Sequence, residues 1–330
     1  MRVERLSTWT AGGLDEGAWN GLLARSATDV PFLTWQWQTA WWEAFGPGPL
    51  ALFVIRDGEN PIGLLPLYAL EAGGRTVLRL VGGVEVSDYL DLIALRDREE
   101  EVWKALLPGL LELRWDLLDL HCLPAASPSL QLLPALARAW GLAAEVEREE
   151  RCPVVELPGS WEAYLARLSG KDRHELRRKL RRLEARQART SLLTTPAAVA
   201  AVLDTFLGLH RKSKAGKARF MDARMEGFFR AVALAFARAG WFALWVLWVE
   251  ERPAASLLCL DYGGRVSLYN SGFDPEAARL SPGVGLIAAS IRDAIGRGRH
   301  RYDFLRGEEP YKYGFGAVST DVFTVRLRRR

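Results

Sequence analysis

The chain has 330 residues, of which 49% are hydrophobic and 25% charged, with 30 glycines and 16 prolines. This is the composition of a folded globular protein, and it excludes a largely disordered, collagen-like or coiled-coil chain. The length predicts two domains. The net charge of +4 hides an asymmetry, because residues 1–165 carry 13 Lys and Arg against 24 Asp and Glu, whereas residues 166–330 carry 31 against 16. The basic second half indicates an anionic partner, such as a phosphorylated cofactor, a nucleic acid or an anionic surface.

Three cysteines, Cys122, Cys152 and Cys259, lie far apart and form no CxxC pair. Their odd number argues against a disulfide framework and a zinc site, and it is typical of a reducing compartment. The four histidines have no metal-binding spacing, so we expect no metal cofactor. The first 17 residues lack the apolar core of a signal peptide, and the longest apolar run, Trp241 to Val249, has only nine residues. We therefore expect a cytoplasmic protein with no integral membrane association.

A weak internal repeat at an offset of 192 residues organises the chain. Residues 51–68 and 243–260 each read as an apolar run, a polar turn with proline and a second apolar run, which is typical of a β-hairpin. In both halves a strand, a helix and another strand follow. These segments are 76–83, 97–113 and 115–124 in the first half, and 265–272, 283–297 and 300–310 in the second. The repeated order predicts two similar α+β units, at residues 1–150 and 151–330, each with a mixed central sheet flanked by helices.

Mostly helical sequence lies between the two copies, at residues 160–239. Lys171 to Arg189 is strongly basic, with nine Lys and Arg against three acidic residues. Its apolar stripe is formed by Leu176, Leu180 and Leu183 at helical spacing. This helix either binds phosphates or presents a solvated face. Two more helices are predicted, from Pro196 to about Arg211 and from about Asp222 to Ala239.

The segment from Tyr269 to Arg297 carries the most informative motif. A strand ending at Asn270-Ser271-Gly272 leads through a loop into Ser281-Pro282-Gly283-Val284-Gly285. Ser281 is a good N-cap and Pro282 a good first helical residue. Glycines at the start of a helix leave backbone N–H groups free to bind a pyrophosphate. An ordinary capped helix is the alternative interpretation.

Residues 303–316, DFLRGEEPYKYGFG, place several polar side chains at the end of the last predicted strand. Lys312 is one of seven lysines beside 37 arginines, and it lies between two tyrosines in a turn bounded by glycines. This turn is a candidate for catalysis or substrate binding, and a polar loop with stacked aromatic rings is the alternative. Its candidate side chains are Asp303, Arg306, Glu308, Glu309, Tyr311 and Lys312. In the first half, the acidic and aromatic turn at Asp88, Tyr89 and Asp91 is either structural or in contact with substrate.

Two stretches, YNSGFDPEAARLSPGVGLIAASI at 269–291 and YDFLRGEEPYKYGFGA at 302–317, resemble the cellulose-biosynthesis-type acetyltransferase branch of the GNAT superfamily. The earlier stretches SGKDRHELRRKLRRLEA, FLTWQWQTAWWEAFG and SDYLDLIA fit the same pattern. This branch is similar to the Fem-type peptidoglycan aminoacyltransferases, which also use two GNAT-like units. The resemblance implies two tandem GNAT-like units with the basic helical insertion between them. It also implies acetyl-CoA, or another acyl-CoA, as the donor.

In GNAT enzymes the thioester lies between two diverging parallel strands, and its pyrophosphate binds at the N-terminus of the next helix. The resemblance therefore implies a pantetheine site and a pyrophosphate site in the second half. The pantetheine would run beside Tyr269, Asn270 and Ser271, and the pyrophosphate would meet Ser281, Gly283, Val284, Gly285 and Leu286. The usual pattern has Arg or Gln three positions before the first glycine, whereas this chain has Leu280 there and Arg279 one position earlier.

The implied reaction is attack of a neutral amine on a thioester carbonyl, which needs a base, an oxyanion donor and an acid for the leaving group. Glu308 or Asp303 is predicted as the base, and a backbone N–H near Asn270 as the oxyanion donor. Tyr311 would protonate the departing thiolate, and Lys312 would instead orient a carboxylate or phosphate of the acceptor. The candidate substrate-binding residues are Asp88, Tyr89, Arg211 and Arg306.

These inferences predict an acyl-CoA-dependent N-acyltransferase that transfers acetyl, in the simplest case, to an amine of a small molecule, amino sugar or peptide. The C-terminal unit would hold the donor, and the N-terminal unit, with Asp88 and Tyr89, would help to shape the acceptor cleft. Two alternatives stay open. One is a Fem-type aminoacyltransferase whose basic helix contacts tRNA. The other is a non-catalytic GNAT-like module that binds an anionic glycan or lipid surface.

Overall fold

The computed structural model describes residues 1–9 and 11–329. The chain divides into two compact units. The first contains Met1–Arg151 together with the last segment, from Thr320, and the second contains Cys152–Ser319. The change of unit near residue 151 lies next to the boundary predicted from the repeat. The last segment differs from the prediction, because it belongs to the first unit.

The first unit is a mixed sheet flanked by helices. Its strands are β1 (Arg2–Leu6), β2 (Leu50–Asp57), β3 (Asn60–Ala72), β4 (Arg75–Leu80), β5 (Ile93–Ala94), β6 (Leu117–Pro124), the first part of β7 (Ala143–Glu156) and β13 (Val318–Arg328). Its helices are α1 (Glu16–Leu23), α2 (Trp35–Phe45), α3 (Glu99–Glu112) and α4 (Pro128–Ala139). The strand order is β1-β2-β3-β4-β6-β13-β7, with β5 beside β3, and β4 and β6 are parallel. Strand β13 joins this unit because it pairs with β6 from Val322 to Arg328 and buries Val325 and Leu327.

The second unit repeats this arrangement. Its strands are the end of β7, β8 (Arg189–Leu193), β9 (Phe242–Val249), β10 (Arg252–Tyr262), β11 (Arg265–Phe273) and β12 (Arg301–Asp303). Its helices are α5 (Trp161–Arg167), α6 (Gly170–Glu184), α7 (Pro196–Ser213), α8 (Ala215–Phe220), α9 (Ala223–Arg238), α10 (Pro282–Gly296) and α11 (Pro310–Tyr313). The strand order is β7-β12-β11-β10-β9-β8, and β11 and β12 are parallel.

The strand orders confirm the predicted internal repeat of mixed sheets flanked by helices. Reading from β8, each of the six strands of the second unit has a counterpart in the first unit, in the order β1, β2, β3, β4, β6 and β13. The parallel pair β4–β6 corresponds to the parallel pair β11–β12. A helix connects the two strands in each case, α3 in the first unit and α10 in the second. Two neighbouring parallel strands need a crossover connection, and in both units that connection contains a helix.

Two predicted elements have different bounds. The strand predicted over 300–310 is short, because β12 ends at Asp303 and the next residues form a turn with Leu305 at a φ of 58°. The basic helix predicted over 171–189 ends at Glu184, and Gln187 adopts a φ of 51° before β8 begins at Arg189. The stripe at Leu176 and Leu183 is buried as predicted. None of the described helices is long and apolar enough to cross a membrane.

The core of the second unit positions its candidate site. Helix α10 buries Leu286, Ile287 and Ile291 against the sheet, and α6 packs against α10. Gly285 makes this helix contact possible, since a Cβ there would lie 2.1 Å from Cδ1 of Leu183. Gly285 and the fully buried Leu286 therefore serve packing, whereas the preceding residues of α10 line a cavity.

Candidate active site

Strands β11 and β12 diverge after a short parallel pairing. Their register runs from Arg265↔Arg301 to Ser267↔Asp303, where β12 ends, whereas β11 continues to Phe273. The register between β10 and β11 also shifts by one residue, so that Tyr269 is the extra residue of a β-bulge. A bulge bends its strand and interrupts the ladder of hydrogen bonds. Among the described residues, the far end of β11 thus has no residue of β12 paired with it, and the sheet opens there.

A cavity of about 490 Å³ occupies this opening. Its wall combines an apolar surface with several polar groups. The lining residues are Ser213, Lys214, Lys217, Leu257, Ser271, Gly272, Phe273, Gly283, Val284, Ile287, Glu309, Pro310 and Tyr311. Of the predicted cofactor residues, Ser271, Gly283 and Val284 lie in this wall. Of the predicted catalytic residues, Tyr311 does.

The N-terminus of α10 opens onto the cavity. Its first turn consists of Pro282, Gly283, Val284 and Gly285, and the preceding Ser281 has left-handed backbone angles of φ 54° and ψ 50°. The predicted N-cap position is therefore correct, but the Ser281 hydroxyl makes no capping hydrogen bond within the described part of the chain. The first N–H groups of a helix have no intrahelical partner and carry the positive end of the helix dipole. This end of the cavity favours an anionic ligand.

Two lysines add positive charge to the same cavity. Lys214 is exposed at its rim, and Lys217 is half-buried and donates a hydrogen bond to the main-chain carbonyl of Ser271. Burial and the nearby charge of Lys214 lower the pKa of Lys217 to about 8, although Glu309 acts in the opposite direction. Neither lysine was selected from the sequence.

The turn at α11 brings Glu309 and Tyr311 into the cavity wall. The described residues that line the cavity include neither Glu308 nor Lys312. Lys312 is 3% exposed, and its ammonium donates to the carbonyls of Leu305, Arg306 and Gly307 at 3.3, 2.9 and 2.9 Å. It also pairs with Glu309 at 2.9 Å. Lys312 therefore stabilises the turn. Partial burial raises the pKa of Glu309, but the hydrogen bond and charge of Lys312 outweigh that effect and lower it.

The other predicted catalytic and substrate residues of this unit have partners outside the cavity wall. Asp303 is buried and accepts a hydrogen bond from the N–H of Leu305 at 2.7 Å. Glu308 accepts one from the Tyr313 hydroxyl at 2.9 Å. Arg211 pairs with Glu226 and donates to the carbonyl of Met221. Arg306 gives its carbonyl to Lys312, and the Tyr269 ring packs on that of Phe229 with centroids 5.4 Å apart.

A buried histidine supports the end of β11. His210 of α7 is 1% exposed and hydrogen-bonds to Asn270, whose Oδ1 also accepts from the N–H of Ser271 at 3.0 Å. Burial and the charge of Lys217 lower the pKa of His210 to about 4, although the bond to Asn270 raises it. The imidazole is therefore neutral at pH 7. Its role is to position Asn270 and the backbone that follows it.

The first unit differs at the positions that correspond to this site. Helix α3, the counterpart of α10, begins with Glu99, Glu100 and Glu101. Three carboxylates at a helix N-terminus repel a phosphate. Of the predicted acceptor residues in this unit, Tyr89 is buried and packs on Phe32 with ring centroids 6.1 Å apart, and Asp88 is half-buried in the preceding turn. The two units therefore differ in the charge at the N-terminus of the helix that connects their two parallel strands.

The first unit instead contains an ionic network around His121. Its Nε2 lies 2.7 Å from Asp119, and its Nδ1 lies 3.1 Å from the Thr324 hydroxyl and 3.5 Å from Glu149. Burial lowers the pKa of His121, but the hydrogen bonds and charges of both carboxylates outweigh it and raise the pKa to about 9. Burial raises the pKa of Glu149, and its bonds from His121, Cys122 and Thr324 outweigh that effect and lower it to about 2.

This network predicts a pH-dependent stability. The His121 contribution is fully present below its ordinary pKa of 6.5 and is lost as the pH rises through 9. The Glu149 contribution is present above 4.5 and is lost as the pH falls through 2. We expect the temperature at the midpoint of thermal unfolding to decrease as the pH is raised from 6.5 to 9. This decrease should be smaller in His121→Asn than in the unchanged protein. The exposed His174→Asn provides the control, and an equal fall in all three proteins would contradict the assignment.

Comparison with known protein families gives a match in the second unit. Residues 170–313 match the family described as "Acetyltransferase (GNAT) domain". This segment, less than half of the chain, is similar to a GNAT domain. The match lies within the second unit and spans α6, the cavity lining and the turn at Tyr311, and it confirms the prediction of a GNAT-type acyltransferase. It also favours an enzyme over the non-catalytic binding module. No curated protein matches the sequence significantly.

Solved structures resemble the chain over most of its length. A crystal structure of FemX aligns with a TM-score of 0.69 at 11% identity, covering 98% of this chain and 97% of FemX. The C-terminal domain of a putative lysylphosphatidylglycerol synthetase from Agrobacterium fabrum has a TM-score of 0.62 at 10% identity, with coverages of 96% and 92%. L-PGS from Bacillus licheniformis has a TM-score of 0.55 at 14% identity, with coverages of 85% and 84%. At these identities the likeness shows a shared fold.

Sequence reasoning missed Lys217, Glu309 as a cavity residue, and His210. A signal for Lys217 was present, because lysine is rare in this chain and RKSKAGKARF contains three of the seven. Glu308 and Glu309 are neighbours of the same type, and only the backbone of the turn decides which of them faces the cavity. His210 lies 60 positions before Asn270, and no pattern in the sequence pairs them.

Proposed function

We propose that the protein is an acyl-CoA-dependent N-acyltransferase of the cellulose-biosynthesis-type branch. It transfers an acyl group, acetyl in the simplest case, to an amine of a small molecule, amino sugar or peptide. The observation that carries this proposal is the cavity where the N-terminus of α10, Lys214 and Lys217 meet the diverging end of β11. Helix N–H groups and the Lys214 ammonium suit a pyrophosphate, and an apolar wall suits the less polar part of the donor.

The residues of the cavity fit such a donor. Gly283 and Val284 would hold the pyrophosphate, Lys214 would neutralise it, and the backbone of β11 from Asn270 to Phe273 would pair with the pantetheine. Leu257, Phe273 and Ile287 supply the apolar wall. When bound, the acyl-CoA supplies an activated thioester carbonyl. The acidic start of α3 in the first unit supports placing the donor in the second.

Tyr311 and Glu309 supply the acid and the acceptor contact in this proposal. Tyr311 is 39% exposed. Desolvation of its hydroxyl in the cavity wall and the charge of Glu309 raise the pKa of Tyr311, so the hydroxyl stays protonated and can donate to a departing thiolate. Glu309 stays ionised beside Lys312, and its carboxylate can bind the acceptor amine and accept a proton from its nitrogen as the new C–N bond forms. We therefore propose Glu309 in place of Glu308 or Asp303, since Glu309 lines the cavity.

Substitution Gly283→Asp tests the donor site. The added carboxylate would lie at the helix N-terminus beside the proposed pyrophosphate, where a Cβ meets no atom within 4 Å. Repulsion of about 1–2 kcal/mol corresponds to a loss of affinity for acetyl-CoA of roughly five- to thirty-fold. Isothermal titration calorimetry measures it. The same acid at a helix N-terminus stabilises the helix, so the fold is expected to persist.

Gly296→Asp is the matched control. Gly296 is the last residue of the same helix, and its Cβ position is equally open. It lies about 20 Å from Gly283 along the helix axis. We expect this variant to bind acetyl-CoA within a factor of two of the unchanged protein. Absence of acetyl-CoA binding by the unchanged protein, or equal binding by Gly283→Asp, would refute the proposed donor site.

A Fem-type aminoacyltransferase is the second candidate, and the basic face of α6 favours it. Arg177, Arg178 and Arg181 are exposed on this helix, whereas Leu176 and Leu183 are buried on the other side. Such a face can contact the phosphates of a tRNA, with an affinity that falls by orders of magnitude as salt rises. Salt-dependent stabilisation by charged tRNA, together with no effect of acetyl-CoA, would favour this candidate.

A further inference from the structure

Lys217 lies where the proposed function places the donor thioester. It belongs to α8, its side chain lines the cavity, and its ammonium donates to the carbonyl of Ser271 on the diverging part of β11. Tyr311, the proposed acid, lines the same cavity. An amine is thus built into the site at which an acyl group would be transferred.

The surroundings of Lys217 favour its neutral form more than the surroundings of an exposed lysine do. Partial burial disfavours its charged form, Lys214 repels its positive charge, and the neutral His210 lies on the neighbouring helix α7. Among the described residues, the carboxylate of Glu309, immediately before α11, favours the charged form of Lys217, and Glu309 is already paired with Lys312. With a pKa lowered to about 8, roughly half of the side chain is neutral at pH 8. A desolvated neutral lysine is an effective nucleophile.

We propose that Lys217 accepts an acyl group from a thioester bound in this cavity, so that the GNAT domain acylates itself when no acceptor amine is present. This inference rests on the proposed function. The lone pair of the neutral Nζ forms a C–N bond with the thioester carbonyl carbon. The C–S bond breaks with its electron pair on sulfur, and the proton that Nζ loses passes to that thiolate. The products are a neutral amide at Lys217 and a free thiol.

The other lysines have surroundings that make them poorer acceptors in this cavity. Lys312 is buried and engaged by three carbonyls and Glu309. Lys104 and Lys179 pair with Glu100 and Glu175, and the exposed Lys212 lies 3.9 Å from Asp274. Lys171 is exposed, and Lys214 is exposed at the rim of the cavity. Specific acylation at Lys217 therefore differs from chemical acylation, which favours exposed lysines.

The test is incubation of the full chain with acetyl-CoA in the absence of an acceptor amine. We expect intact-mass measurement to show one added acetyl group, and peptide mapping to place it on Lys217. The rate should rise roughly five-fold between pH 7 and pH 8, as the neutral fraction of an amine of this pKa does. Free CoA should slow the reaction by occupying the cavity. Lys217→Arg should reduce it at least ten-fold, and Lys212→Arg should leave it unchanged.

The outcomes separate this inference from the proposed function. Acetylation spread over exposed lysines, or a rate unchanged in a folded Lys217→Arg variant, overturns the inference. An unmodified Lys217 in a protein that binds acetyl-CoA and acetylates an added amine overturns the inference alone. Absence of any binding of acetyl-CoA overturns both. The thermal unfolding midpoint of Lys217→Arg shows whether the variant is folded.

Discussion

Replacing Tyr311 by phenylalanine is expected to lower kcat about 100-fold, with the KM for acetyl-CoA changed by no more than roughly a factor of three. The substitution removes the hydroxyl that lines the cavity and keeps the ring, which packs near Phe304 with centroids 6.2 Å apart. The raised pKa of Tyr311 keeps the hydroxyl protonated throughout the neutral range, so its loss removes an acid at every working pH. Steady-state kinetics with acetyl-CoA and an acceptor amine measure the effect.

Tyr313→Phe is the matched control for this prediction. Tyr313 lies two residues away, and its hydroxyl bonds to Glu308 and Ser319 at 2.9 and 2.8 Å. We expect its kcat to stay within a factor of three of the unchanged enzyme. Equal losses in both variants would point to a general disturbance of the turn. Full activity of Tyr311→Phe would remove Tyr311 from the mechanism.

Replacing Gly272 by valine is expected to destabilise the second unit by about 2–4 kcal/mol and to abolish donor binding. A Cβ at this position would lie 2.4 Å from the backbone nitrogen of His210 and 2.5 Å from the carbonyl carbon of Leu209. Backbone atoms cannot rotate away as a side chain can, so α7 must move off β11. That movement would also break the bond between His210 and Asn270. Denaturant unfolding and calorimetry with acetyl-CoA measure the two effects.

Gly208→Ala supplies the contrast on the same helix. Gly208 belongs to α7, and a Cβ there meets no atom within 4 Å. Alanine at an open helical position is expected to stabilise the protein by up to about 1 kcal/mol. Destabilisation of equal size in both variants would show that α7 tolerates no change. The effect of Gly272→Val could then not be attributed to the close contact between Gly272 and α7.

Much of the fold follows from local sequence. The hairpins at 51–68 and 243–260 are marked by apolar runs around a polar turn, and both form antiparallel pairs, β2–β3 and β9–β10. The start of α10 is marked by Ser281, Pro282 and two glycines. The last segment, from Thr320, was placed in the wrong unit for a clear reason. Strand pairing joins residues about 200 positions apart, and the sequence of β13 alone does not show that its partner is β6.

The residues of the candidate site were likewise predicted only in part from the sequence. Ser271, Gly283, Val284 and Tyr311 were selected from motifs and line one cavity, whereas Gly285 and Leu286 of the same motif pack in the interior. The period of a helix turns consecutive residues in different directions, so a contiguous motif cannot all face one ligand. Lys312 stood out in the sequence as an isolated lysine, and the structure shows that carbonyl groups surround it.

The sequence by itself determined the internal repeat, the order of hairpin, strand, helix and strand in each unit, and the start of α10. Local propensity, turn chemistry and hydrophobic period act over a few residues, and these features depend on nothing else. Only the tertiary structure decided that Lys217 meets Ser271, that Glu309 rather than Glu308 lines the cavity, and that His210 and Gly272 are in contact. These pairs come from different elements, and their proximity is created when α7, α8 and α11 pack around the diverging end of β11.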